Sequence, residues 1–284
     1  MAGRKRFIVI ALLPAMLLAG RGVYAQRGTS PTPAPPANMP EPSTKDAASS
    51  PSDTGQQQAV SKQESKAIKA FRDAPAADAD KKTQLGEDFI EKYPQSRYRA
   101  EVVTWLARAY LVKGQVDKLQ AAGDKELSLT PSNPLSLAVL GSNLSRAVNA
   151  NTPDLQKHLD EAEQFCKKSL ELLASAQKPA DLTEEKFTEA KNETSGVAYS
   201  GLGVVAFRKG KYADAIPDIE QAVKLGGGKD PVDYYILGKS NEGASHFDAA
   251  LAAFTKCAAM PGGMQAACQS SADEVKGRAA SAPK

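Results

Sequence analysis

Histidine and cysteine, the side chains that most often carry catalysis or hold transition metals, are scarce: two and three in 284 residues. His158 and His246 stand about 90 residues apart, so the sequence offers no histidine pair. No H-E-x-x-H, C-x-x-C or G-x-S-x-G occurs, which excludes the signatures of zinc hydrolases, dithiol redox enzymes and serine hydrolases. Alternating β-branched runs are nearly missing beyond Gln57, so a strand-rich fold is excluded. A long apolar run is lacking too. Residues 7–18 are apolar but broken by Pro14, and a ~30 Å hydrocarbon core needs about 20 such residues.

What is there begins with a leader. Arg4, Lys5 and Arg6 precede the apolar run, and Val23-Tyr24-Ala25 places small residues where a signal peptidase inspects them. Residues 1–25 therefore read as a signal peptide, the alternative being an uncleaved N-terminal anchor. The stretch "LLAG" resembles the start of a lipoprotein lipobox, but Arg21 stands where that motif needs cysteine. The leader holds Arg4, Lys5, Arg6, Arg21 and no acid. Thirty-six basic residues less these four leaves 32 against 33 acids, so charge gives no case for nucleic acid or an anionic membrane. Residues 26–56 carry seven prolines among Ser, Thr and Ala. Such a segment buries too little to offset its ordering entropy and reads as a disordered linker.

Residues 57–281 read as helix almost throughout, and their self-similarity is informative. Leu106-Ala107 and Leu140-Gly141 lie 34 residues apart, and Leu202-Gly203 and Leu237-Gly238 lie 35 apart. Around them recur Tyr110, Gly114 and Pro131; then Gly210, Tyr212, Ala215, Ile219 and Ala222; then Phe247, Ala250, Phe254 and Pro261. This spacing and these residues resemble the tetratricopeptide repeat, a helix–turn–helix unit of about 34 residues. The resemblance implies an all-α solenoid of helix pairs closed by a capping helix. Its units are a degenerate pair at 57–98, then about 100–133, 134–182 with an insertion, 183–229 and 231–263, with the cap at 264–281. Within the second unit, the second helix is expected to start about nine residues late, after "NANTPD". Thr183 followed by Glu184 and Glu185 predicts an N-cap and an unusually long first helix for the third unit. The run Phe89, Tyr93-Pro94, Ser96, Tyr98 resembles repeat proteins of bacterial envelope assembly.

Two glycine motifs compete with that reading. "GLGVVA" at 201–206 fits a dinucleotide fingerprint, but it lacks the strand that must precede it, so Gly201 and Gly203 read as helix-packing glycines. "LGGGKDP" lacks the Ser or Thr that a phosphate loop needs after Lys229. Of the cysteines, Cys166 is expected to be buried and inert. Cys257 and Cys268 flank the turn "AMPGGM" on two expected antiparallel helices, so a disulfide there would pin the cap. The alternative is two buried reduced thiols.

The resemblance implies that the first helices line a concave groove for a protein or extended peptide. The inward positions would be Thr104, Arg108, Leu111, Ala138, Ser142, Ser145, Arg146, Ser200, Val204, Phe207, Arg208, Tyr235 and Lys239. The asparagines of a carboxylate clamp are missing from them. The expectation is thus an exported, non-catalytic interaction scaffold, periplasmic or else extracellular, without cofactor, metal or nucleic-acid partner. The alternative is a structural subunit of a bacterial envelope or outer-membrane assembly.

Overall fold

A computed structural model of the chain describes residues 60–129 and 132–281, so the expected leader, linker and closing Pro131 lie outside the described residues. Within them are eleven α-helices and no strand. These are α1 (Lys62–Asp73), α2 (Ala79–Lys92), α3 (Arg99–Val112), α4 (Val116–Ser128), α5 (Pro134–Ala147), α6 (Leu155–Ser175), α7 (Glu184–Arg208), α8 (Tyr212–Leu225), α9 (Pro231–Gly243), α10 (Phe247–Ala258) and α11 (Gln265–Ser281). Each odd helix packs on the even helix that follows, and each even helix on the next odd one. From α3 to α9 the odd helices also pack on one another in order. This is an all-α arrangement of sequential pairs, consistent with a helical repeat.

Local chemistry sets the helix ends. Ser61, Asp78, Asn133, Thr183 and Asp230 each accept a backbone N–H in the first turn of α1, α2, α5, α7 and α9. Proline opens α5 and α9, where its missing N–H costs nothing. At the other ends, Gly114 (φ 64°), Gly210 (φ 73°) and Ser245 (φ 64°) take the left-handed conformation just past α3, α7 and α9. The next residue then donates back five positions: Gln115 to Tyr110, Lys211 to Ala206 and His246 to Asn241. These bonds satisfy helix-end carbonyls and reverse the chain.

Seven residues before each of these turns stands the small residue of the sequence signature. A Cβ on Gly203 would lie 2.4 Å from Ile219 of α8, and one on Gly238 would lie 2.5 Å from Phe254 of α10. On Gly141 it would lie 2.6 Å from Cys166 Sγ of α6, and Ala107 is wholly buried in α3. The small residue is what lets the two helices of a pair meet. Gly201 has the same role between units, since a Cβ there would lie 3.0 Å from the Ser142 backbone in α5.

The second pair departs from this register, as expected, but by less. The second helices of the other three signature pairs begin at Val116, Tyr212 and Phe247, nine residues after their small residue. Counted from Gly141, α6 would begin at position 150; it begins at Leu155, five residues late rather than nine. The loop is ordered by its own side chains, with Asn149 N–H donating to Thr152 and Asn151 N–H to the Asn149 side chain. α6 has 21 residues and α7 has 25, and Thr183 caps α7 through the Lys186 N–H.

Two main cores result. One gathers Phe71, Phe89, Leu106, Leu119, Leu140, Leu159 and Phe165; the other gathers Val204, Ile219, Ile236, Phe254 and Val275. Between them sits a small cluster of Ala138, Cys166 and Ala198. In the first core region Arg99 and Glu126 form a buried ion pair at 2.8 Å, and Glu126 also accepts the Asn133 N–H. At the C-terminal end, Met264, Cys268, Ala272 and Val275 are the buried apolar residues of the last segment, and α11 packs on α10. Cys257 and Cys268 form a disulfide across that contact, with Cα atoms 5.7 Å apart. Burial pushes the free Cys166 thiol up to about 12, so it stays protonated.

Candidate functional site

The first helices α3, α5, α7 and α9 carry all the expected groove residues, but the structure treats them unequally. On α3, Arg108 is exposed and makes no ion pair among the described residues; Thr104 and Leu111 are half-buried. Val112 beside Leu111 is 59% exposed, the most exposed of the large apolar side chains described. The Thr104 hydroxyl donates to the Ala100 carbonyl within its own helix.

On α5 and α7 the expected inward positions lie deeper. Ala138, Ser142, Ser145, Ser200 and Val204 are all buried. Small residues on both helices let α7 settle directly onto α5 at Gly201 and Ser142, while Val204 is buried in the second core with Ile219 and Ile236. Phe207 is not presented to solvent as a lone anchor either. Its ring packs 5.8 Å from Tyr212, which lies over Gly243 of α9.

Two arginines expected in the groove are engaged internally. Arg208 donates through Nε to the Ser145 carbonyl at 3.1 Å and through Nη2 to that of Arg146. α5 ends on extended Val148 without a left-handed turn residue, so Arg208 supplies donors that its last carbonyls otherwise lack. Burial without an acidic partner lowers the Arg208 pKa. Arg146 Nη2 donates to Ser200 Oγ at 2.7 Å, Asp230 Oδ2 at 2.8 Å and Asp233 Oδ1 at 3.3 Å. The Ser200 hydroxyl in turn donates to Asp233 Oδ1. Burial works against the Arg146 charge, but Asp230 and Asp233 more than offset it and hold its pKa above the ordinary arginine value.

On α9, Tyr235 is buried against Phe254, with ring centroids 5.9 Å apart. Lys239 Nζ lies 5.5 Å from the Phe254 centroid and pairs with Glu242 at 3.0 Å. Glu242 also accepts from Arg278 of α11 at 2.7 Å. The structure thus brings Arg146 and Ser200 together and leaves Thr104, Arg108 and Leu111 as a separate face. Cys257 and Cys268 lie at the far end, in the cap contact.

Sequence reasoning missed Asp230 and Asp233. An acid before proline and another in the first turn fit a helix start, and nothing local shows that Asp233 faces Arg146. His158 also differs from a solvated residue. It is buried, and its Nδ1 stands 3.8 Å from Glu161 Oε2, neither atom having a hydrogen-bond partner. The longer α7 faces the end of α8 across a cleft of about 560 Å³, lined by Glu184, Glu185, Glu189 and Glu193 opposite Gly226, Gly227 and Lys229. Among the described residues no group of three or more His, Cys, Asp or Glu is placed to hold a metal ion. Nor is any described helix long and apolar enough to cross a membrane. The disulfide is consistent with an oxidising, extracytoplasmic location. No protein-family model matches the chain, and no curated protein matches it in sequence.

Proposed function

We propose that this chain is an exported, non-catalytic scaffold of tetratricopeptide type, and that it binds a protein or extended peptide through the first-helix face of its N-terminal pairs. The observation that carries this reading is the contrast along that face. Arg146, Arg208 and Lys239 are each engaged inside the molecule, whereas Arg108 on α3 is exposed, with no ion pair among the described residues, beside Leu111 and exposed Val112. An exposed guanidinium next to apolar side chains suits a partner that offers a carboxylate and an apolar side chain together, because arginine can both pair and stack. The deeper positions on α5 and α7 then fix the angle of the face rather than touch the partner.

The test is a crosslinked pull-down of the tagged chain from its native envelope fraction, read by mass spectrometry and repeated with Arg108→Glu. The scaffold reading expects a defined set of partners, depleted at least tenfold by the charge reversal. A single stoichiometric membrane-complex partner that Arg108→Glu does not affect would instead assign the chain as an assembly subunit held by another surface.

A further inference from the structure

The cluster of Arg146, Ser200, Asp230 and Asp233 ties three successive first helices, α5, α7 and α9, at one point. Its composition is unbalanced. Two carboxylates share one guanidinium, and they share one nitrogen of it, since Nη2 makes all three contacts and Nε has no partner. Asp230 has a second role, accepting the Val232 N–H as the N-cap of α9. Asp233, 7% exposed, keeps only the longest of the arginine contacts and the Ser200 hydroxyl.

We propose that this cluster is a pH-responsive latch between the helix pairs, gripping more firmly as the pH falls from neutral to mildly acidic values. The groups facing Asp233 are Arg146 from α5, the Ser200 hydroxyl from α7 and Asp230 from the start of α9 itself. Arg208, further along α7, is turned to the α5 carbonyls. α8 and α10 meet α9 through apolar Ile219, Ala250 and Phe254. A negative charge on Asp233 is therefore poorly solvated and sits beside a second one. Burial first, and Asp230 second, push its carboxyl from 3.8 up to about 7, against the opposing pull of Arg146 and Ser200. A carboxyl raised on folding takes up a proton as the joint closes. Its contribution is complete below the unfolded value and is lost as pH rises through the folded one. Protonated Asp233 leaves Arg146 and Asp230 as a balanced pair, and opening the joint would return Asp233 to water and release the proton.

The experiment is a carboxyl ¹³C NMR titration of the labelled full chain, with the Asp233 signal identified by its loss in Asp233→Asn. Thermal melts between about pH 5 and about pH 7.5 accompany it. Asp233 should titrate near neutrality, and Asp230→Asn should lower its midpoint by removing the like charge. The wild-type Tm should fall as pH rises across that range, and Asp233→Asn should flatten the slope. Burial also raises Asp218 and Glu161, so Asp218→Asn and Glu161→Gln serve as comparisons that leave the Asp233 midpoint in place. If Asp233→Asn fails to fold, the signal that moves in Asp230→Asn identifies Asp233. A midpoint in the ordinary aspartate range, about 3.9, or a slope that Asp233→Asn leaves unchanged, would overturn the latch.

Discussion

Ser245 occupies, at φ 64°, the left-handed position that Gly114 and Gly210 fill after α3 and α7. A side chain there is strained in a way glycine is not, so Ser245→Gly should stabilise the protein by roughly 0.5–1 kcal/mol in thermal or urea unfolding. The opposite sign is expected at Glu126, whose carboxylate is buried with Arg99 and caps the Asn133 N–H. Glu126→Ala strands a buried guanidinium and should cost about 3–5 kcal/mol; chemical denaturation measures it. How legible each residue was depended on range. Gly114, Gly210 and the small residues at 107, 141, 203 and 238 could be read from sequence, because a helix pair needs them at fixed spacing; Ser245, which is not a glycine, could not. Asp233 could not, because its partner Arg146 lies 87 positions away. The burial of Ser142 and Ser200 escaped for a similar reason: it depends on how closely α5 and α7 approach, which no local pattern encodes.

Among elements, α11 is held by an apolar strip and by one covalent bond. The Cys257–Cys268 link closes a short loop, 11 residues apart in sequence, and such a loop is worth on the order of 2–3 kcal/mol. Cys268→Ser, or reduction, should lower the local stability of the α10–α11 end by that amount. Hydrogen exchange should rise in α10 and α11 first and leave α1–α5 unchanged; a uniform rise along the chain would contradict this account. α11 was visible in the sequence as a polar-faced helix after a glycine turn, and the pairing as two cysteines flanking that turn. The start of α6 was less so. The Asn149–Thr152 loop is short and self-bonded, so the insertion uses five residues where the sequence suggested nine. The rest of the added length enters α6 and α7.

Across the whole described molecule, pH pulls on stability from two sides. Hydrogen bonds from Lys167 and Lys209 hold the Glu163 carboxyl down to about 2, and Asp80 and Asp160 are lowered by Lys113 and Lys209. These depressed groups contribute fully above their unfolded values, and their contribution is lost as pH falls through the folded ones. Asp233, with Asp218 and Glu161, acts in the other direction. Stability should therefore peak at mildly acidic pH, roughly 5–6, rather than at neutrality; Tm measured across pH locates the maximum.

At the same scale the all-α order of helices was legible, and the exposure of each first helix was not. Periodicity and the recurring pairs gave helices packed in order. α7 packs onto α5 with Ser142 and Ser200 buried, whereas Arg108 and Val112 on α3 are exposed. The most direct test of the proposed binding face is a photocrosslinker scan in the native host, with the probe placed in turn at Arg108, Leu111 and Val112 on α3 and at Lys168 on α6. Crosslinks to one common partner from the three α3 positions, and none from Lys168, are the predicted result. Equal crosslinking from α6, or none from α3, would contradict a scaffold that binds through its N-terminal first-helix face.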